Sequence, residues 1–145
     1  MPRNVTTATL VQSLARAEAV RLRDAFAAAG LTGLRTAHSL LLIPLAEGGL
    51  HASDLTATLG VSRQAMAQLI ATLERNGYLE RAVDPADGRA KLIRLTARGH
   101  EALEVMHATG REIDADWEKR LGADRLADVR DGLHQLLDSE SEAPG

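Results

Sequence analysis

The 145-residue chain contains no cysteine and only one tryptophan, one tyrosine and one phenylalanine. Without a thiol there is no disulfide, no thiolate metal site and no thiol-based oxidation sensor. Scarce aromatics beside abundant alanine and leucine favour packed helices over sheet. Long hydrophobic runs are missing as well. The longest, Leu40 to Ala46, includes Pro44 and is far too short to span a bilayer. The first residues show no basic segment followed by an apolar run, so no secretory signal is expected, and the expectation is a soluble, cytoplasmic protein without a membrane partner. There is no internal repeat, no phosphate-cradling glycine loop and no nucleophile–base pairing, so neither an enzyme nor a cofactor is expected. The five histidines do not form a metal set. His100 and His107 share a helical face but lie roughly 10 Å apart, and His38 and His134 have no ligand pattern around them.

What is present suffices for one domain with a real core. The net charge of −3 hides an uneven distribution. Leu50–His100 carries seven basic residues against five acidic ones, a net +2, while the rest carries ten against fifteen, a net −5. A mildly positive middle between acidic arms suits a nucleic-acid reader that does not cling to every duplex.

Thr6 to Ala29 reads as a long helix stopped at Gly30, with Leu10, Leu14, Leu22 and Phe26 on one stripe interrupted near Glu18. Thr32 is expected to cap a second helix, which Pro44 kinks or ends before Gly48-Gly49. A short helix follows, started by His51 or Ser53 and running from Ala52 to Leu59, closed by Gly60. Ser62 then caps a longer one that stops at Gly77. Met66, Leu69, Ile70 and Leu73 form its inward stripe, and Gln64, Ala67, Gln68 and Ala71 face outward. Small and amide-bearing residues on the outer face suit a major groove. Tyr78–Val83 and Ala90–Leu95 read as strands joined by Asp84-Pro85-Ala86-Asp87-Gly88-Arg89. Thr96 caps another long helix, and a last one runs from Ala123 to Asp138. Their seams comprise Leu103, Met106, Gly110, Ile113, Trp117 and Leu121, then Leu126, Val129, Leu133, Leu136 and Leu137. Such seams serve either an intrachain core or a subunit interface. The acidic segment 139–145 is expected to be disordered.

The expected fold is mainly α with a small β-hairpin (α+β). It is a winged helix-turn-helix over residues 32–99, flanked by long dimerisation helices at residues 5–30 and 100–138, all within one domain. The stretch Leu55 to Gln64, then Leu73-Glu74-Arg75-Asn76-Gly77-Tyr78-Leu79-Glu80-Arg81, the wing and Leu95-Thr96-Ala97-Arg98-Gly99 resemble the MarR (multiple antibiotic resistance regulator) family of bacterial transcription factors. The resemblance covers nearly the whole chain. It implies a homodimer whose terminal helices knit together. It also implies a regulator, more often a repressor than an activator, that binds a pseudo-palindromic operator in double-stranded DNA. Half-sites one helical turn apart follow from the two-fold symmetry, and the resemblance implies control by a small aromatic or phenolic effector. In relatives the position of Gln68 is often basic, that of Ala67 often carries a hydroxyl, and that of His51 is usually Thr or Ser.

The candidate DNA-contacting residues are Ser62, Arg63, Gln64, Ala67, Gln68, Asp87, Arg89, Lys91 and Arg94. Arg89 at the wing tip can enter a narrow minor groove, where negative potential concentrates, with Asp87 expected to hold its guanidinium. Arg63 and Gln64 open the recognition helix, where guanidinium and amide groups match guanine and adenine edges. The dimer seam is expected from Leu10, Leu14, Ile113, Trp117, Leu121, Leu126, Val129, Leu133 and Leu136. The implied effector pocket is assigned to Arg35, His38, Arg111 and Trp117. A second reading, a winged-helix interaction module without specific DNA binding, rests on the small basic excess and the neutral Gln68.

Overall fold

Helix α1 (Thr7–Ala28) starts where Thr6 adopts extended backbone and its hydroxyl accepts the Thr9 N–H at 3.2 Å. It stops at Gly30, whose φ of +73° suits a residue without a side chain. This is a computed structural model describing residues 1–142, and it divides into two compact units, residues 1–109 and 110–145. The apolar stripe of α1 is split: Leu22 and Phe26 are buried, while Leu10 and Leu14 are exposed.

The second helix begins later than its sequence suggests. α2 spans Thr36–Leu42 behind Arg35, and Thr32 does not cap it. Gly33, at φ +77°, turns the chain in between. Thr32 is engaged elsewhere, its carbonyl accepting the Tyr78 hydroxyl and its own hydroxyl accepting from Arg98. Pro44 acts as expected. With no N–H to offer, it tightens the end of α2 into a single 3-10 turn, Ile43–Leu45.

Helix α3 (Ala52–Leu59) ends at Gly60 in the left-handed region, and α4 (Arg63–Arg75) follows a three-residue turn. Ser62 caps α4, its hydroxyl accepting the Ala65 N–H at 3.1 Å. Leu55 from α3 and Met66, Ile70 and Leu73 from α4 are buried, so the two helices share one apolar seam. Strands β1 (Leu79–Val83) and β2 (Lys91–Leu95) pair antiparallel, with Leu79 opposite Leu95 and Val83 opposite Lys91. Leu50, just before α3, adds a one-residue bridge to Ile93 with hydrogen bonds of 2.9 and 2.8 Å in both directions. No strand had been expected at Leu50, because a single residue leaves no alternation to read.

Helix α5 (Ala97–Leu121) is capped by Thr96, which accepts the Gly99 N–H at 3.1 Å and donates to the Gly77 carbonyl. A Cβ at Gly99 would collide with the Tyr78 carbonyl, so the close approach of α5 to β1 requires glycine there. Around this point Tyr78 is fully buried. The Arg98 guanidinium sits 4.8 Å from the centre of its ring and donates to its hydroxyl at 3.2 Å. The Leu-Thr-x-x-Gly run thus locks the hairpin to the start of α5.

In the second unit the chain turns at Gly122 (φ +85°) into α6 (Ala123–Glu142). Ser139–Glu142 were expected to be disordered, yet α6 runs through them. Ser139 and Ser141 return hydroxyl hydrogen bonds to the Gln135 and Leu137 carbonyls, so these polar residues satisfy themselves within the helix. Residues 143–145 of that expected tail lie outside the described residues. An Asp114–Arg130 ion pair at 3.0 Å ties α5 to α6, and Leu126 is buried.

Candidate nucleic-acid interface

The buried stripe of α4 determines which residues can face a ligand. Because Met66, Ile70 and Leu73 point inward, Gln64, Ala67, Gln68 and Ala71 fall on the opposite side, and all four are exposed. Ser62 and Arg63 are also exposed at the N-terminal end, where backbone N–H groups lack helical partners. Together these residues present one hydroxyl, one guanidinium, two amides and two methyl groups along about two and a half helical turns.

The hairpin carries a second group. Asp84 and Asp87 build its turn. Asp84 accepts the Ala86 N–H at 2.9 Å through Oδ1, and Asp87 accepts the Arg89 backbone N–H at 3.1 Å. Asp87 therefore shapes the turn through the main chain and does not hold the guanidinium as expected. Arg89 is exposed, and its side chain makes no ion pair among the described residues.

The cations of this face fall into two classes. Arg94 donates to Glu80 across the hairpin at 2.7 Å, and Arg81 donates to Glu74 of α4 at 3.0 Å. Both pairs are half exposed, so each contributes at most about 1 kcal/mol. They nevertheless hold those guanidinium groups against the protein. Arg63, Arg89 and Lys91 have no such partner among the described residues and remain available to an anion. Of the two candidate contacts on β2, Arg94 is thus engaged by Glu80, whereas Lys91 has no such partner among the described residues. Glu80 stands directly opposite Arg94 in the strand register, a pairing the strand lengths imply once the turn is placed.

A third contact was missed. His51, the residue before α3, makes no side-chain cap; its Nε2 instead meets Asp84 Oδ2 at 2.9 Å. The two lie 33 residues apart, and no local pattern reports such a pair.

The expected effector residues do not all fall in one unit. In the first, the Arg35 N–H donates to His38 Nδ1 at 3.4 Å. Burial, then the nearby Arg35 charge, lowers the His38 pKa below its usual 6.5, with the Gly33 backbone opposing. A cavity of about 280 Å3 beside them is lined by Arg16, Ala19, Val20, Arg23, Leu34, Arg35 and Thr36. Arg16 and Arg23 were not anticipated there, although their seven-residue spacing on α1 places them on one face. Arg111 and Trp117 belong to the second unit, where Arg111 is exposed and Trp117 lines an apolar groove with Leu126, Val129, Leu133 and Leu137. Of the expected dimer residues, Leu10, Leu14, Val129, Leu133 and Leu136 are exposed, and Ile113, Trp117 and Leu121 are half-buried. Leu126 is already covered within the single chain. The described residues include no cluster of three or more metal-ligating side chains.

Comparison with known proteins places these features in context. Residues 29–90 match a model of the MarR family. Over 94 residues the chain is 34% identical to the transcriptional activatory protein BadR of Rhodopseudomonas palustris, covering 65% of this chain and 53% of that protein. The chain thus spans about half the length of that relative. Among solved structures, the PcaV transcriptional regulator of Streptomyces coelicolor, in complex with its natural ligand, is similar at 23% identity and a TM-score of 0.72, covering 97% of each chain. The S. aureus MepR–DNA complex is similar at 20% identity and a TM-score of 0.74, covering 94% of this chain and 99% of that one. These likenesses show that the fold is the expected one, mainly helical with a hairpin wing.

Proposed function

We propose that the chain is a transcription regulator of the MarR family, whose model matches residues 29–90, and that it binds a pseudo-palindromic DNA operator as a homodimer. The observation that carries this reading is an exposed Gln64/Ala67/Gln68 face on α4 together with an exposed Arg89 at the hairpin tip that has no ion pair among the described residues. In this reading α4 enters the major groove. Gln64 and Gln68 offer amides to adenine edges, and Arg63 reaches guanine or a phosphate. Arg89 enters the adjacent minor groove, and Lys91 meets the backbone. MepR, a structural neighbour, is seen bound to DNA, which supports the assignment.

The exposed Leu10 and Leu14 of α1 and Val129, Leu133 and Leu136 of α6 are apolar surface that a second copy would cover. Two-fold pairing then sets half-sites about one helical turn apart. The sign of regulation follows from where the operator lies relative to the promoter. Occupancy over the promoter represses, and BadR is an activator by name.

The cavity beside Arg16 and Arg35 supports an effector carrying a carboxylate, with Ala19, Val20 and Leu34 covering an apolar ring; Arg23, which also lines it, already donates to Asp24 at 3.3 Å. At about 280 Å3 it lies near the lower end of the roughly 300–1,000 Å3 typical of ligand pockets, which suits a small aromatic acid. PcaV, another structural neighbour, is seen with its natural ligand.

The test is a competition experiment using duplexes from the region upstream of the protein's own gene. Specific DNA should displace a labelled upstream duplex far better than random sequence, with affinity falling steeply as salt rises. Equal competition by both duplexes at non-specific affinity would leave the interaction-module reading in its place.

A further inference from the structure

We propose that His51 and Asp84 form a clasp that fixes the wing relative to the recognition helices, making His51 a positioning residue for DNA binding. The inference rests on the operator-binding reading above and adds to it a residue outside the DNA-facing set.

His51 occupies the residue before α3, where a short hydroxyl side chain would normally accept a first-turn N–H. Its imidazole makes no such bond. It turns toward the hairpin, and Nε2 lies 2.9 Å from Asp84 Oδ2. Asp84 is the last residue before the wing tip and is the more buried partner, its side chain 14% exposed against 35% for His51. Its other oxygen accepts the Ala86 N–H at 2.9 Å, and its own N–H donates to the Ala90 carbonyl at 3.3 Å. One carboxylate therefore closes the turn that carries Arg89 and bonds to the chain entering the helix-turn-helix.

Next to His51, Leu50 bridges to Ile93 of β2. The hairpin is thus held at two adjacent points, one through backbone and one through side chains. A two-stranded ribbon is weakly stable alone, so such tethers determine how far its tip wanders. With the clasp open, the wing has to be ordered when it meets DNA, and that entropy is subtracted from affinity. Because Asp84 is an acceptor when ionised, His51 Nε2 must carry the proton in this bond.

The experiment uses the full-length chain and a duplex that the wild-type protein selects from a random-sequence pool. His51→Ala is expected to weaken binding about tenfold, since the contact occurs once in each of two protomers. His51→Gln, which keeps a donor of similar reach, is expected to restore most of the affinity. In a chain already carrying Asp84→Ala, His51→Ala should change affinity less than twofold. Nuclear magnetic resonance of the free protein supplies a readout independent of DNA. The Ala86 and Arg89 amide signals should shift or broaden in His51→Ala and return toward wild type in His51→Gln. The clasp is refuted if His51→Ala binds like wild type, if its loss is the same with and without Asp84, or if the wing amides do not move. If the wild-type chain selects no duplex, the operator reading fails while the amide signals still decide the clasp.

Discussion

Replacing Arg89 by alanine is expected to separate folding from the proposed DNA recognition. The side chain is exposed and has no ion-pair partner among the described residues, so its removal should shift unfolding free energy by no more than about 0.5 kcal/mol. The turn should survive, because Asp87 holds it through the backbone N–H of residue 89, which alanine retains. On DNA the cost is larger. A charge-assisted contact contributes about 1.5–3 kcal/mol. A dimer loses two, for a total of about 3–6 kcal/mol, or a fall in affinity of at least a hundredfold. The salt dependence should become shallower by about two units of log–log slope, as two phosphate-neutralising charges are removed. Arg94→Ala is the internal control. Its guanidinium already donates to Glu80 at 2.7 Å and would have to leave that partner to reach a phosphate, so its loss should cost less than about fivefold. Fluorescence anisotropy of a labelled duplex across a salt series reads both quantities. Unchanged affinity and slope for Arg89→Ala, together with a larger effect for Arg94→Ala, would falsify the division between free and tethered cations.

Other outcomes follow from the same contacts. Gly99→Ala forces a methyl group against the Tyr78 carbonyl and should destabilise the fold by about 2–3 kcal/mol, seen as a lower thermal midpoint; an unchanged midpoint would show that α5 can move away from β1. The folded His38 pKa is lowered, so the unfolded chain takes up a proton first as acidity rises. Its contribution to stability is full above about pH 6.5 and is lost as pH falls through the window below it. Urea unfolding of wild type and His38→Gln between about pH 5 and pH 8 should show this part of the slope only in wild type. Arg16→Ala combined with Arg35→Ala should abolish calorimetric binding of benzoate while leaving DNA affinity in the absence of benzoate within about threefold of wild type. Retained benzoate binding would place the carboxylate site elsewhere.

Much of the fold was legible because it rests on local rules. Ser62, Thr96, Gly30, Gly60 and Pro44 act at the helix ends where their chemistry directs them, and the 3.6-residue spacing of Met66, Ile70 and Leu73 identifies the outward face of α4 by subtraction. The exposure of Gln64, Ala67, Gln68 and Ala71 followed directly from that face. What escaped depends on residues distant in sequence. Thr32 looked like a cap by type, but the buried Tyr78 hydroxyl needs an acceptor and takes its carbonyl. The Leu50 bridge is too short to have a period, and the His51–Asp84 pair spans 33 residues. Nothing local singles out Arg16 and Arg23, which line a cavity only together with the distant Leu34–Thr36 turn. The tail illustrates the opposite error: acidic composition suggested disorder, yet the serines of 139–142 bond back along a helix.

The central claim is that two copies of this chain read two successive major grooves while their wings grip the flanking minor grooves. Hydroxyl-radical footprinting on a selected duplex tests it most directly. The account predicts two symmetric protected blocks centred about one helical turn apart, with outer edges that disappear when Arg89 is alanine. A single asymmetric block, or edges that persist without Arg89, would contradict it.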